Sequence, residues 1–429
     1  MKEFVKCAEE LLKFIEECPS SYHVIARLSE QYRGAGFTEL EERKDWGLTW
    51  GGSYFVTRNG SALIAFRLPE SGEVRGVHAA AAHCDSPTFK IKENPEKISE
   101  QYVTLNVEKY GGMIYSTWMD RPLSVAGRVA MEDPKTGEIV PKLVHIDRDL
   151  CVIPYLAVHM NPNVNKGMEY NPQVDLQPLF AVPGKKGQKS LRDLAAEAAG
   201  VRAEEILGQD LFLYVREKGR FLGPEKEMIL SPKLDDLQCV YALTRGHREC
   251  APKNYLTVCA VFDNEEVGSG SSQGADSTFL EDVLARIGEA LQISPSNLRE
   301  WIASGFMISA DNGHAVHPNH PEKADPTNRP CLNGGIVLKY NSAMKYTTDG
   351  MTAAKIRSLC KRAKVPCQTY VNRSDIAGGN TLGNISTAHV SLPSADIGLP
   401  QLAMHSAVET GGTRDTWYAV KLMREYFSE

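Results

Sequence analysis

Two adjacent glutamates directly after a buried apolar segment constrain the fold of this chain more than any other feature. Residues 255–261 (YLTVCAV) form a short, uniformly apolar run, which predicts a fully buried β-strand. The following FDNEEVGSG brings Glu265 and Glu266 to the end of this strand, and the chain then turns at its glycines. Open α/β sheets bind ligands at the carboxyl ends of their strands, so the stretch predicts an α/β fold with a site at that edge.

The two glutamates are expected to have different roles. Neighbouring residues of an extended chain point to opposite sides, so Glu265 and Glu266 cannot occupy equivalent positions. One could bind a metal ion while the other faces a water molecule as a general base. A solvated acidic loop is the alternative interpretation, and the rest of the chain has to decide between them.

A second polar pair follows another small-residue segment. Residues 76–82 (GVHAAAA) predict a buried strand that leads into His83 and Asp85. Because these two residues are two positions apart, their side chains face the same way. An acidic group beside a ligating histidine orients its ring, so Asp85 could support either a metal ligand or a base. Taken alone, the pair is also compatible with a structural role.

Further polar groups occupy comparable positions. Asp235 and Asp236 begin a predicted helix, where capping and the helix dipole by themselves favour carboxylates. The alternative is that one of them bridges two metal ions. Asp311 follows the predicted strand 305–310, and His405 follows an apolar run.

Together these groups have the composition of a two-metal site. The candidates are His83, Asp85, Asp235, Glu265, Glu266, Asp311 and His405. Imidazoles and carboxylates without thiolates suit zinc, manganese or cobalt. Two ions about 3.5–4 Å apart need one shared carboxylate and private ligands on each side. The set supplies these and leaves one glutamate as a base.

The middle of the chain differs in character from both ends. Residues 93–231 contain short β-like runs and a long polar loop at 161–174, without metal-ligand spacing. We interpret them as a separate inserted domain, with 1–92 and 232–429 forming the main one. Its one unusual residue is His159, which alone would be a structural histidine.

Composition limits the partners and the location of the protein. The net charge is −6 without a basic block, which argues against nucleic acid and anionic membranes as partners. The amphipathic, acidic N-terminus lacks the apolar core of a signal peptide, and no apolar run approaches the roughly 20 residues of a membrane span. The ten cysteines are scattered without a CxxC pair, which suits a reducing cytoplasm.

Six motifs in a fixed order resemble the aspartyl aminopeptidase family of dinuclear zinc exopeptidases. They are AHCDSP, SPKLDD, FDNEEVGS, SADNGHAVHPN, SDIAGGNTLG and LAMHS. PSSYH, YFVTRNGSALIAF, TWMDRPLSVAGRV and VHMN extend the resemblance nearly end to end. It implies a three-layer αβα metallopeptidase domain with an inserted β-rich dimerisation domain. It also implies a metallo-aminopeptidase that acts on peptides with a free N-terminus, with a preference for Asp or Glu left open.

The resemblance implies two divalent metal ions per chain, zinc first, with cobalt or manganese as alternatives. By matching position, His83 and Asp311 would bind one ion, Glu266 and His405 the other, and Asp235 both. Glu265 would be the general base, and Asp85 would lie behind His83 and set the electrostatics of the site. Where the family has Asp-Asn, this chain has Asp235-Asp236, and we keep Asp235 as the bridging acid.

Other implied roles concern substrate and assembly. The family's histidine in the VHMN motif reaches a neighbouring subunit's site and stabilises the tetrahedral intermediate, which makes His159 a catalytic and substrate-binding candidate. Lys339 matches a lysine that receives an acidic substrate side chain. The family assembles as a dodecamer built from dimers. In the glycine loop, Ala377 and Asn380 depart from the family pattern, so the shape of the pocket is open.

Two other functions remain as alternatives. One is a related dinuclear metallohydrolase with a different amide substrate, such as a deacylase or a carboxypeptidase. The other is a non-enzymatic member that acts in assembly or cargo binding. The complete ligand set together with Glu265 favours an enzyme.

Overall fold

The computed structural model of the protein describes residues 2–184, 187–379 and 381–429. Its α-helices are α1 Glu3–Glu17, α2 Ser21–Gly34, α3 Leu191–Ala199, α4 Leu234–Glu249, α5 Phe279–Ala290, α6 Pro295–Ala303, α7 Gly350–Ala363, α8 Leu382–Ser386 and α9 Asp415–Phe427. Its strands up to the middle of the chain are β1 Thr38–Leu40, β2 Ser53–Arg58, β3 Ala62–Arg67, β4 Gly76–His83, β5 Thr88–Ser99, β6 Tyr102–Tyr110, β7 Leu123–Glu132, β8 Ile139–His145, β9 Leu179–Ala181 and β10 Gly208–Val215. The remaining strands are β11 Arg220–Leu222, β12 Met228–Ser231, β13 Tyr255–Phe262, β14 Phe306–Ala310, β15 Gly313–His314, β16 Ile336–Tyr340, β17 Cys367–Val371, β18 Ser394–Gly398, β19 Pro400–Leu402 and β20 Glu409–Gly412.

A nine-stranded sheet carries the candidate site, with strand order β1-β2-β3-β13-β4-β14-β18-β16-β17. Its centre is parallel, since β4 pairs in parallel with both β13 and β14, and β14 with β18. The strands predicted at 76–82, 255–261 and 305–310 are thereby confirmed as β4, β13 and β14. Because parallel strands end at one edge of a sheet, the polar residues that follow these three strands are brought together.

Helices pack against both faces of this sheet. On β13, Cys259 and Val261 enter one apolar core with α1, α2, α4, α7 and α9, while Val258 and Ala260 enter another with α5 and α6. The alternation follows from the two-residue period of a strand. The four alanines of β4, 79–82, are all buried, and their small size lets helices approach the sheet closely.

A second sheet lies within the middle of the chain. It has six strands in the order β8-β7-β10-β5-β6-β9, with antiparallel pairing, and an apolar core of its own that includes Phe89 and Trp118. A third, five-stranded sheet runs β11-β12-β20-β19-β15. The six-stranded sheet begins at Thr88 and its last strand in the chain ends at Val215, while the domain limits 93 and 231 stay a prediction.

No helix in the described parts of the chain has both the length and the apolar character needed to cross a bilayer.

Candidate active site

Six predicted site residues form one cluster at the carboxyl edge of the nine-stranded sheet. They are His83, Asp235, Glu265, Glu266, Asp311 and His405, and they form three overlapping groups whose potential ligand atoms lie within 4.8 Å of one another. His83 ends β4, the glutamates follow β13, and Asp311 follows β14. The topology of the sheet therefore gathers side chains that are far apart in the sequence.

Asp235 lies at the centre of the cluster. Its Oδ1 atom is 3.6 Å from Nε2 of His83, and its Oδ2 atom is 3.4 Å from Nε2 of His405. Glu266 lies on the second side, with Oε1 3.5 Å from the same His405 nitrogen. Each oxygen of Asp235 thus faces a different imidazole, which is the arrangement that a carboxylate shared by two cations requires.

The neighbouring Asp236 has a different environment. Its Oδ2 atom accepts a hydrogen bond of 3.4 Å from the backbone N–H of His83, and its Oδ1 atom accepts one of 3.2 Å from that of Asn312. Neither aspartate has helical dihedral angles, although both lie within the range of α4. They are therefore not simple helix caps, and the geometry favours Asp235 over Asp236 as the bridging acid.

The donor set fits divalent cations. Oδ1 of Asp235 and Oε1 of Glu266 are buried and have no hydrogen-bond partner among the described residues. Burial raises the pKa of Glu266 well above its ordinary value. Burial also raises the pKa of Asp311 to about 6, with Asp235 adding to the effect and Lys339 opposing it. Unpaired buried carboxylate oxygens are costly, and a bound cation would satisfy them.

The ring of His83 is held in a defined orientation. Its Nδ1 atom is 3.1 Å from the carbonyl oxygen of Asp85. A carbonyl oxygen only accepts hydrogen bonds, so Nδ1 donates to it and Nε2 is the nitrogen that faces the cluster. Such a contact is typical of a metal-ligating histidine.

The carboxylate of Asp85 supports the turn that carries the two glutamates. It accepts the backbone N–H groups of Glu265 and Glu266, each at 3.1 Å. It also accepts the hydroxyl of Tyr110 on β6, at 2.8 Å. Its Oδ1 atom is 3.4 Å from Nδ1 of His83. Asp85 therefore contacts both the histidine and the glutamate turn.

A cavity of about 330 Å³ opens on the cluster, and Glu265 is part of its wall. Burial raises the pKa of Glu265 to about 7, with Asp311, Asp85 and Asp235 adding to the effect and His83 opposing it. Other residues that line this cavity are His314, Lys339, Tyr346, Tyr370, Gly379 and Thr381. Asn380 of the glycine loop lies outside the described residues.

Lys339 is almost completely buried in the wall of this cavity. Its Nζ atom donates to the carbonyl oxygen of Asn312 at 2.8 Å and lies 3.6 Å from Oδ2 of Asp311. Burial opposes its charge, but Asp311 and other acidic groups hold the pKa of Lys339 above its ordinary value. The cavity therefore has a positive charge beside the carboxylate of Asp311.

His159 lies apart from the cluster in the described part of the single chain. It is in an exposed turn at 157–160 and does not line the cavity. Its neighbours Val158 and Met160 are 54% and 74% exposed, which is unusual for large apolar side chains.

Glu409 is a residue of the site that the sequence reasoning missed. It is buried on β20, and its two oxygens accept the backbone N–H groups of Asp235 at 3.0 Å and of His405 at 2.8 Å. It fixes the backbone of two candidate ligands without joining the cluster itself. Its local sequence, AVETGGT, contains no motif or spacing that indicates this role.

The fold and the cluster define the class of protein as an α/β metallohydrolase. The sequence model of the family described as aminopeptidase I zinc metalloprotease (M18) matches residues 14–427. The chain is 43% identical over 433 residues to the probable M18 family aminopeptidase 2 of Clostridium novyi, covering 100% of both chains. It is 36% identical to aspartyl aminopeptidase 1 of Schizosaccharomyces pombe, covering 98% of this chain and 94% of the relative.

Solved structures agree with this assignment. The chain superimposes on Ape4 from its complex with Nbr1 with a TM-score of 0.93 and 35% identity, covering 99% of this chain and 86% of that one. For the mApe1 dodecamer of S. cerevisiae the TM-score is 0.86 at 28% identity, covering 99% and 97%. This protein belongs to the M18 family and is a metallo-aminopeptidase, as its motifs led us to expect.

Proposed function

We propose that the protein removes N-terminal residues from peptides by attack of a water molecule, with Glu265 as the general base and two divalent metal ions that would activate the water. The observation that carries the proposal is the position of Asp235, whose two oxygens face His83 and His405 respectively. His83 and Asp311 would hold one ion, Glu266 and His405 the other, and Asp235 both. Zinc is the first choice, with cobalt and manganese as alternatives.

The bound ions would lower the pKa of the attacking water and polarise the scissile carbonyl group. Glu265 takes the proton from this water and delivers it to the leaving amine. Its carboxylate lines the cavity next to the cluster, where a group that both accepts and donates the proton has to lie. Asp85 fixes the backbone of Glu265 and thereby keeps its carboxylate beside the cavity.

Lys339 is proposed to recognise the first residue of the substrate. Its ammonium group is the buried positive charge beside the cavity, and a substrate carboxylate at this position would be attracted to it. This supports a preference for N-terminal Asp or Glu. It agrees with the name of the Schizosaccharomyces pombe relative, an aspartyl aminopeptidase.

We further propose a discontinuous three-layer αβα catalytic domain, 1–92 and 232–429, with 93–231 inserted as a dimerisation domain. The separate six-stranded sheet with its own apolar core supports this division. His159 would enter the active site of a neighbouring subunit. Its exposed turn is accessible to another subunit, and the exposed apolar side chains beside it could be buried there. Dimers would assemble into a dodecamer, and the S. cerevisiae mApe1 structure is described as a dodecamer. The cysteine usage supports a cytoplasmic location.

A panel of aminoacyl substrates with free and N-acetylated amines tests the function directly. With zinc, cobalt or manganese added, the protein should cleave free aminoacyl substrates and leave the acetylated forms intact. Equal cleavage of both forms would indicate a deacylase or a related amidase instead. A release of C-terminal residues from peptides would indicate a carboxypeptidase, and the absence of any hydrolysis at full metal occupancy would favour a role in assembly.

A further inference from the structure

Asp396 is a buried carboxylate in the middle of a central strand. It lies on β18 and is 1% exposed. Leu338 on the adjacent β16 pairs with Ile397, and both enter the apolar core on one face of the sheet. Because side chains alternate along a strand, Asp396 and Lys339 face the opposite side, which is the side of the substrate cavity. A charged group at such a position needs strong partners.

The carboxylate of Asp396 joins two loops that are separate in the sequence. Its Oδ2 atom accepts both the backbone N–H of Thr347, at 2.6 Å, and the hydroxyl of Thr347, at 2.8 Å. Its Oδ1 atom accepts the hydroxyl of Thr381 at 2.5 Å. The backbone N–H of Asp396 also donates to the hydroxyl of Thr348 at 2.8 Å. One side chain therefore holds the loop before α7 and the loop before α8.

Both loops form the wall of the cavity around Lys339. Thr381 lines the cavity, and so does Tyr346, the neighbour of Thr347. The ring centroid of Tyr346 is 5.5 Å from Nζ of Lys339. Lys345 adds a second link between the loops, because its Nζ atom donates to the carbonyl oxygen of Gly378 at 2.6 Å. Of the two residues that donate to the carboxylate of Asp396, Thr381 lines the cavity and Thr347 directly follows the cavity-lining Tyr346.

The chain leaves room for this arrangement at Gly383. A Cβ atom on Gly383 would lie 2.7 Å from Oδ1 and 2.9 Å from Oδ2 of Asp396. These distances are too short for a side chain, so a glycine at the start of α8 lets the backbone approach the carboxylate closely. Larger residues would displace either α8 or Asp396.

We propose that Asp396 is a positioning residue that sets the shape of the pocket for the side chain of the first substrate residue. It acts through Tyr346 and Thr381 and contacts neither the metal-binding cluster nor the scissile bond. Loss of its hydrogen bonds therefore weakens recognition of a side chain and leaves the metal ions in place. This inference rests on the proposed aminopeptidase function.

The test compares a substrate that fills the pocket with one that does not. In Asp396→Asn, one acceptor oxygen becomes an NH₂ group that cannot accept a hydrogen bond from Thr347 or Thr381. We expect kcat/KM to fall about tenfold, mainly through KM, for the best substrate with a large or acidic first residue. The glycyl substrate should change by less than about threefold, with unchanged metal content.

Thr381→Val is a second variant that removes only the hydroxyl donor. It should lower the ratio of kcat/KM for the best substrate to kcat/KM for the glycyl substrate, as Asp396→Asn does. Asp415→Asn is the matched control, because Asp415 is a buried carboxylate that accepts the backbone N–H groups of Asn333 at 2.7 Å and Gly335 at 2.9 Å, away from the cavity. This control should lower stability without changing the ratio.

Equal losses on both substrates, loss of metal, or an unchanged ratio in Asp396→Asn overturns the inference. If Asp396→Asn does not fold, an unchanged ratio in Thr381→Val overturns it. A wild-type protein that cleaves no free aminoacyl substrate refutes the proposed function together with this inference. Wild-type activity with unchanged ratios in the variants refutes the inference alone.

Discussion

The backbone N–H of Glu265 donates a hydrogen bond of 3.1 Å to the carboxylate of Asp85, a residue from a different strand end. The same carboxylate accepts the next N–H, that of Glu266. The backbone of the turn after β13 is thus held by the carboxylate of Asp85, which follows the end of β4. These two contacts hold the turn that carries the proposed base Glu265 and the proposed metal ligand Glu266.

Replacing Glu265 by Gln should separate chemistry from metal binding. The backbone contact to Asp85 is retained, whereas the side chain can no longer accept a proton. We expect kcat to fall on the order of 10²–10⁴-fold with normal metal content. Steady-state kinetics and elemental analysis on one sample measure both quantities. Glu266→Gln is the matched control and should lose metal, whereas a near-normal rate in Glu265→Gln would contradict its role as the base.

Replacing Glu409 by Gln should weaken metal binding without touching the cluster. One of its two acceptor oxygens becomes an NH₂ group that faces the backbone N–H of Asp235 or of His405. Mutation of a residue that hydrogen-bonds to a metal ligand typically lowers the affinity for the metal about 10–100-fold. Competition with a chelator measures the dissociation constants, and Asp415→Asn serves as a control for a buried carboxylate away from the site. Equal affinities in wild type and Glu409→Gln would rule out this support role.

Replacing Lys339 by Met keeps most of the buried stem and removes the charge. If Lys339 receives an acidic side chain, kcat/KM should fall more for aspartyl than for leucyl substrates, by on the order of tenfold. The ratio of the two values is the quantity to measure, because damage to the metal site would lower both. Equal losses on the two substrates would remove Lys339 from substrate recognition.

His159 can be tested by mixing two inactive proteins. His159→Ala lacks the residue proposed to act in a neighbouring subunit, and Glu265→Gln lacks the base in its own. After dissociation and reassembly, a mixed dimer has one site with a normal base and a normal His159 from its neighbour. Activity should therefore return on mixing, as measured by hydrolysis of an aminoacyl substrate. Continued inactivity of verified mixed oligomers would place His159 outside the neighbouring site.

Buried histidines should make the protein sensitive to acid. Burial, with Lys355 nearby, lowers the pKa of His78 to about 3, so its ring is neutral in the folded chain, stacked between Tyr255 and Tyr426. In the unfolded chain the pKa is about 6.5. The unfolded state therefore binds more protons between these values, and the free energy of unfolding falls as the pH drops below about 6.5.

At pH 5 this single group should cost about 2 kcal/mol of stability. His78→Phe keeps the stacked ring and cannot be protonated. Urea unfolding at several pH values should show a shallower decrease for His78→Phe than for wild type. Some decrease should remain, because burial also lowers the pKa of His23 to about 3. Identical slopes in the two proteins would show that His78 is not the titrating group.

The sequence was sufficient to predict the strands that carry the site, because their physical signals are local. A small-residue run at 76–82 and an apolar run at 255–261 predict β4 and β13, and polar residues follow both strands. The parallel pairing of these strands then brings His83 beside the glutamates. The ligand candidates could therefore be gathered from strand ends before any distance was known.

The supporting residues could not be predicted in the same way. Glu409 and Asp396 accept hydrogen bonds from backbone or hydroxyl groups of residues that are distant in sequence, and Tyr110 donates its hydroxyl to the carboxylate of Asp85. Such contacts depend on the register between strands and loops, which leaves no periodic or spacing signal. The distinction between Asp235 and Asp236 rested on the resemblance alone for the same reason. It depends on which carboxylate meets the backbone of Asn312 and which one meets the two imidazoles.

The most direct test of the central claim is anomalous diffraction at the zinc edge from crystals of the protein loaded with zinc. Two peaks about 3.5–4 Å apart are expected, with Asp235 contacting both. His83 and Asp311 should contact one peak, and Glu266 and His405 the other. A single peak, or two peaks that do not share Asp235, would contradict the two-metal account.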